Sequence, residues 1–282
     1  MQKTIIIADI GINANGSVDI AKELILASKN AGIDLVKFQK RNVDLVYTKA
    51  ELDKPRESPW GKTNREQKLG LEFDEKAYDE INDFCKRENV KWFASCWDLD
   101  SLEFMNKYNL EYNKIPSALL VHKKLLTAIA KQKKYTFIST GMSTLDEIEE
   151  AANIFKTYEC PFSLMQCNAQ YPAPDHVLNL KVIKTLRSLL KCDVGYSCHS
   201  PGIIPAVAAV ALGATSIEKH ITLDRTMYGS DQAASVEPDG FKRLVDYVRC
   251  VERALGDGIK HVTAEEEKSK AKLRREGDIE YN

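Results

Sequence analysis

One alternation governs this chain: a short apolar run, then a stretch with helical spacing, repeated eight times. The first run is "TIIIADI" (4–10), and "VDIAKELILASKNAG" (18–32) follows as a helix stopped by Gly32. "DLVKFQ" (34–39) opens the second unit, whose helix, 74–89, comes only after a long polar segment, 40–72. Strands are then predicted at 91–97, 111–116, 135–140, 161–167, 192–197 and 215–220. Their helices follow at 99–108, 122–132, 144–157, 177–190, 201–212 and 238–255. Consecutive strands joined by crossover helices pair in parallel, and a parallel sheet needs helices to cover it. Eight such units predict an α/β fold, a (β/α)8 TIM barrel forming a single domain over 1–260. A doubly wound open sheet is the alternative. It normally has fewer units and a GxGxxG turn after its first strand, a pattern that "GINANG" does not match. The charged tail, 261–282, is expected to be a solvated helix.

Bulk properties exclude several functions. With 40 basic and 41 acidic residues the net charge is −1, so no nucleic-acid or lipid-surface partner is implied. Mean hydropathy is −0.34, and no apolar run approaches the ~20 residues of a membrane span. The seven cysteines include no CxxC, which argues against a disulfide framework or a zinc knuckle. No signal-peptide pattern opens the chain, so a cytoplasmic location is expected.

In such a barrel, chemistry sits at the C-terminal strand ends. Collected there are Asp9, Lys37, Gln39, Ser95, Lys114, Ser117, Ser139, Thr140, Gln166, Asn168, Ser197, His199, Glu218 and His220. Taken singly, each has an ordinary role: a lysine is solvated, a serine caps a helix, a histidine hydrogen-bonds in a loop. Two histidines on consecutive strand ends change the balance, because with water or substrate oxygens they can hold a divalent metal. Two lysines among hydroxyls suit an anionic substrate, a carboxylate or a phosphate. Glu218 and His220 lie two apart on one strand and share a face, so Glu218 is expected to orient His220, or a water on the metal, from behind. Lys219 points the opposite way, to the helix layer or solvent.

These motifs resemble the sialic acid (N-acetylneuraminate) synthase family. In order they are "IADIGINANGS", "VKFQ", "NKIPS", "ISTGMST", "QCNAQYPAP", "VGYSCHS", "ALGATSIEKHITLDR" and "GSDQAASVEPDGF". The resemblance implies condensation of phosphoenolpyruvate with an N-acetylated hexosamine-type sugar to give a nonulosonic acid and phosphate. It implies a divalent ion, Mn2+ or Mg2+, on His199 and His220. Phosphoenolpyruvate would meet Lys37, Ser95, Lys114, Ser117, Ser139 and Ser197, while Gln39, Tyr171 and Asp231 would face the sugar. Asp9 would move a proton, and a homo-oligomer is expected. Alternatives are the same chemistry on a sugar phosphate, a Schiff-base aldolase using Lys37 or Lys114, and a non-catalytic scaffold barrel.

The chain also departs from the family's pattern. Asp9 stands where a glutamate is usual, Ala14 for a histidine, Leu119 for a glutamate and Ala169 for an asparagine. A short form is expected, without the C-terminal antifreeze-like domain that gives an arginine to the partner's sugar site in long members. The segment 40–72 exceeds the ~12–15 residues of an idle connection. It is read as a lid in which Arg56 or Arg65 supplies that cation; a solvated or oligomer-forming loop is the alternative.

Overall fold

The computed structural model describes residues 3–274, and in it the eight predicted strands close into one parallel barrel. They are β1 (Ile5–Asp9), β2 (Leu35–Lys40), β5 (Trp92–Cys96), β6 (Tyr112–Ile115), β7 (Tyr135–Ser139), β8 (Phe162–Cys167), β9 (Asp193–Cys198) and β10 (Ser216–His220). β3 (Pro55–Ser58) and β4 (Gly61–Thr63) form a separate hairpin. Pairing runs in sequence order round the barrel, and β1 closes it by pairing with both β10 and β2.

Period-two alternation sorts the strand residues. Ile6, Ala8, Val36, Phe38, Ala94, Ile138, Leu164, Val194 and Ile217 face the helices and join the large outer core. The inward set begins apolar, with Ile7, Leu35, Phe93, Phe137 and Met165 packed as a plug. One step further along the same strands the inward residues become Asp9, Lys37, Ser95, Ser139 and Cys167, all buried. A closed apolar floor therefore lies directly under a polar layer. At Gly195 a Cβ would fall 2.0 Å from the Ser216 hydroxyl, so only glycine lets β9 and β10 approach there.

The helices begin on local signals. Ser17 caps α1 (Val18–Ala31), which ends in a left-handed Gly32. Thr144 and Glu147 form a capping box at the start of α8 (Leu145–Thr157). Two helices are shorter than the spacing predicts. The 177–190 stretch splits into a 3-10 turn, Asp175–Val177, and the helix Val182–Leu190, because Asn179 adopts a positive φ of 45°. The 201–212 stretch is helical only over Ile204–Ala211, after Pro201 and Gly202. In the tail the helix Ala264–Leu273 is exposed throughout, as expected of a charged face; 275–282 lie outside the described residues, as do 1–2 of the predicted domain. Among the described residues no helix is long and apolar enough to cross a membrane.

The 40–72 segment is built from short elements: helices Val43–Val46 and Lys49–Leu52, the β3–β4 hairpin, and the helix Asn64–Leu71. Two close approaches fix it to the barrel mouth. Gly16, at φ +68°, would place a Cβ 2.0 Å from the Gly70 carbonyl, and a Cβ on Gly70 would meet the Trp60 ring at 2.1 Å. Trp60 in turn packs edge-on against Tyr228 at 5.7 Å, tying the hairpin to the loop after β10. Gly70→Ala should therefore expel Trp60 and cost about 1–3 kcal/mol. The expected outcome is a lowered melting temperature with protease cutting confined to residues 53–63.

Candidate active site

The polar layer opens into a cavity of about 300 Å3 at the C-terminal end of the barrel. Its floor is a chain of buried charges. Lys37 Nζ lies 2.7 Å from Asp9 Oδ2 and 3.9 Å from Glu218 Oε1. Lys114 Nζ lies 3.2 Å from the same Glu218 oxygen and also donates to Ser139 Oγ. Ser197 Oγ donates to Glu218 Oε1 at 3.1 Å. Neighbouring strand register brings these groups together: Asp9 is level with Lys37 on β2 and with His220 on β10, and Glu218 with Ser197 on β9.

The charges are unequal in their environments. Burial pulls the Lys37 pKa down, but Asp9 and Glu218 outweigh it and leave it raised. Burial dominates at Lys114 and leaves its pKa lowered despite Glu218. Burial pushes the Glu218 carboxyl up, yet Lys114 and Lys37 together bring it down to about 2. Glu218 is thus a carboxylate at neutral pH, shared between two ammonium groups.

The two histidines stand side by side, ring centroids 5.7 Å apart. His199 Nδ1 is 2.6 Å from the Asn168 carbonyl, which can only accept, so that nitrogen carries the proton. Its Nε2 then offers a lone pair, on which the Tyr171 hydroxyl donates at 2.8 Å. Burial, followed by the nearby His220, lowers the His199 pKa to about 3, so the ring is neutral at physiological pH. His220 Nε2 approaches Asp9 Oδ2 at 3.4 Å, while Asp9 Oδ1, His220 Nδ1 and Glu218 Oε2 are buried without a hydrogen-bond partner among the described residues. Among the described residues no three His, Cys, Asp or Glu side chains form a ready-made metal cage. The donor set nevertheless fits a divalent ion held by two imidazoles and completed by outside oxygens. Reaching His199 Nε2 requires the Tyr171 ring, stacked on the imidazole at 3.9 Å, to turn its hydroxyl away.

Most of the residues singled out in sequence line this cavity: Asp9, Lys37, Gln39, Ser95, Lys114, Ser117, Ser139, Tyr171, Ser197, His199, Glu218, His220 and Asp231. Arg56 joins them from the hairpin and has no partner among the described residues. Arg65 does not: it pairs with Asp44 at the surface, whereas Lys68, further along the same helix, lines the cavity. Glu218 does not orient His220 either. It lies in the lysine layer, and the carboxylate beside His220 is Asp9, its register neighbour. Gln166 and Asn168 turn to the Leu178 and Val177 carbonyls and brace the loop. Ala169 lines the cavity, whereas Leu119 packs against the core.

Arg41, Trp97, Gln67 and Met142 also line the cavity and were not singled out from sequence. A usable signal exists for two of them. Arg41 continues the 37, 39, 41 period of β2 and Trp97 the 95, 97 period of β5, so both belong to the inward face. Arg41 sits over the Trp97 ring at 5.5 Å and is paired to Glu72 at 2.7 Å.

The chain is similar to known proteins over most of its length. Residues 24–260 match the model of the NeuB family. The chain is 40% identical over 280 residues to an N,N'-diacetyllegionaminic acid synthase of Campylobacter jejuni, covering 95% of this chain and 82% of that protein. It is 38% identical over 260 residues to the N-acetylneuraminate-9-phosphate synthase of Mus musculus, covering 91% and 72%. Among solved structures, an N-acetylneuraminic acid synthetase from Leptospira borgpetersenii superposes with a TM-score of 0.86 at 31% identity, covering 98% and 94%.

The depressed Glu218 carboxyl has a measurable consequence. Its stabilisation is complete above the ordinary value of 4.5 and is lost as the pH falls toward about 2. Glu218→Gln should melt below wild type by the largest margin at neutral pH. That margin should shrink steadily between pH 4.5 and pH 2 in thermal melts.

Proposed function

The chain belongs to the NeuB family, and on that premise we propose that it condenses phosphoenolpyruvate with an N-acetylated hexosamine-type sugar to give a nonulosonic acid and phosphate. The observation that carries this is the pair of buried lysines, Lys37 and Lys114, facing a hydroxyl-lined cavity that also holds two imidazoles. A small acid bearing both a carboxylate and a phosphate, such as phosphoenolpyruvate, suits that floor, because Lys37 and Lys114 offset its charge among buried groups. Ser95, Ser117, Ser139 and Ser197 supply hydroxyls for its carboxylate and phosphate oxygens. Gln39, Tyr171 and Asp231 stand above it, toward the opening, where an acceptor would lie.

In the reaction, C3 of phosphoenolpyruvate forms the new C–C bond to the aldehyde carbon of the open-chain sugar. The aldehyde oxygen takes up a proton and becomes a hydroxyl. Water adds at C2, loses a proton, and the tetrahedral centre expels phosphate by C–O cleavage to leave the ketone. Asp9, the carboxylate between Lys37 and His220, is placed to hold the proton from that water. Mn2+ or Mg2+ on His199 and His220 would supply Lewis acidity toward the aldehyde oxygen. Lys37 is held protonated by Asp9 and Glu218, which makes it unsuited to Schiff-base chemistry.

A second reading of the acceptor has its own support. Among the described residues the Arg56 side chain has no ion-pair or hydrogen-bond partner, and Lys68 lies over the Tyr47 ring at 4.5 Å without a salt bridge. Both line the outer cavity with Arg41, so an acceptor bearing a phosphate would find cations there.

Phosphate release from phosphoenolpyruvate, with and without Mn2+, over amino sugars and their phosphates tests both readings. His199→Ala and His220→Ala should each lower turnover by about 100-fold or more. Near-normal rates in either would remove the metal assignment, and failure to bind phosphoenolpyruvate at all would favour a scaffold. Arg56→Ala should raise KM about tenfold for a phosphorylated acceptor and leave a neutral one unchanged. Equal effects on both would exclude the phosphate reading.

A further inference from the structure

Lys219 lies between Glu218 and His220 on β10, yet its side chain leaves the cavity and ends between sheet and helices, 1% exposed. It forms no ion pair with a carboxylate among the described residues; instead its ammonium meets backbone carbonyls. Nζ donates to Ser200 O, to Ala234 O at 3.1 Å and to Cys198 O at 3.4 Å. Three N–H donors thus face three acceptors, the arrangement by which carbonyl cages hold a metal cation.

The identity of those carbonyls gives the lysine its meaning. Cys198 and Ser200 flank His199 on either side. Ala234 closes the 3-10 turn Gln232–Ala234, which follows Asp231 directly. The same turn is held by Ser235 Oγ, which donates to the Asp231 carbonyl at 2.6 Å, and by Arg225, which donates to the Ala233 carbonyl at 2.5 Å. One ammonium therefore joins the backbone carrying His199 to the backbone carrying Asp231. An apolar side chain of equal volume would fill the space but remove the donor that the Ser200 and Ala234 carbonyls share.

We infer that Lys219 is a positioning residue that fixes the separation of His199 and Asp231, and with it the geometry of the acceptor half of the cavity. Most of the phosphoenolpyruvate half does not share this dependence; Ser197, next to Cys198, is the exception, and it is held in the β9 ladder level with Glu218. Lys37, Ser95, Lys114 and Ser139 stand on β2, β5, β6 and β7, and none of these strands contacts Lys219 Nζ. The kinetic part of the inference rests on the proposed condensation; the clamp itself does not.

Lys219→Met should raise the acceptor KM about tenfold and lower kcat, while the phosphoenolpyruvate KM stays within about twofold. Hydrogen exchange should quicken at 198–202 and 231–236 and stay unchanged in the barrel strands. Equal rises in both KM values, or unchanged kinetics in a folded variant, would overturn the inference. If Lys219→Met does not fold, Lys219→Gln, which keeps two N–H donors, should give the same split at smaller size, and the same two outcomes overturn it. If wild type releases no phosphate from phosphoenolpyruvate, the proposed function is what fails. Exchange then decides the clamp alone: loosening of both loops in either variant supports it, and uniform loosening or none overturns it.

Discussion

The shared carboxylate of Glu218 is the contact on which the cavity depends. Each of Lys37, Lys114, Glu218 and Asp9 is about 95% or more withdrawn from water, and an isolated buried ion costs several kcal/mol. Only mutual pairing offsets that cost, and pairing requires four side chains from β1, β2, β6 and β10 at one height. The barrel delivers this through register. A slip of one residue in any of these strands would turn its charge outward into the apolar helix layer. The apolar plug of Ile7, Leu35, Phe93, Phe137 and Met165 beneath keeps water from reaching the charges from below. Floor and charge layer therefore specify each other.

Much of this was legible in the sequence because two periods coincide. The βα alternation predicts the barrel, and the period of two within each strand predicts which polar residue faces in. Lys37, Lys114, His199 and His220 follow from those two facts. The misses lie where neither period applies. Arg65 and Arg56 cannot be ranked from sequence, because the 40–72 insert is built of short helices, Asn64–Leu71 the longest, and a hairpin whose facing depends on contacts with Gly16 and Tyr228. The helix expected over 177–190 is cut by Asn179, whose left-handed backbone leaves no apolar signature. The shared strand face points from His220 to Glu218, but the nearer partner of a barrel side chain is its neighbour across the ladder. That is Asp9, which is distant from His220 in sequence and so invisible to spacing.

The two halves of the cavity differ in how they are held, and this bears on how relatives diverge. The floor is carried by strands within the ladder, where every residue is fixed by two neighbours. The upper part is carried by the loops after β8, β9 and β10 and by the insert, which no ladder holds. Those loops are fixed instead by discrete clamps: the Asn168 carbonyl on His199, Trp60 on Tyr228, and Lys219 on three carbonyls. A change in the clamps re-aims Tyr171, Asp231 or Arg56 without disturbing the lysine–carboxylate floor. Relatives named for different nonulosonic acids, one of them phosphorylated, can then share a floor and differ above it. If the proposed condensation holds, the choice of acceptor rests on the residues that hold the loops as much as on those that line the cavity. The outward-facing Lys219 is one of the former, although it never enters the cavity.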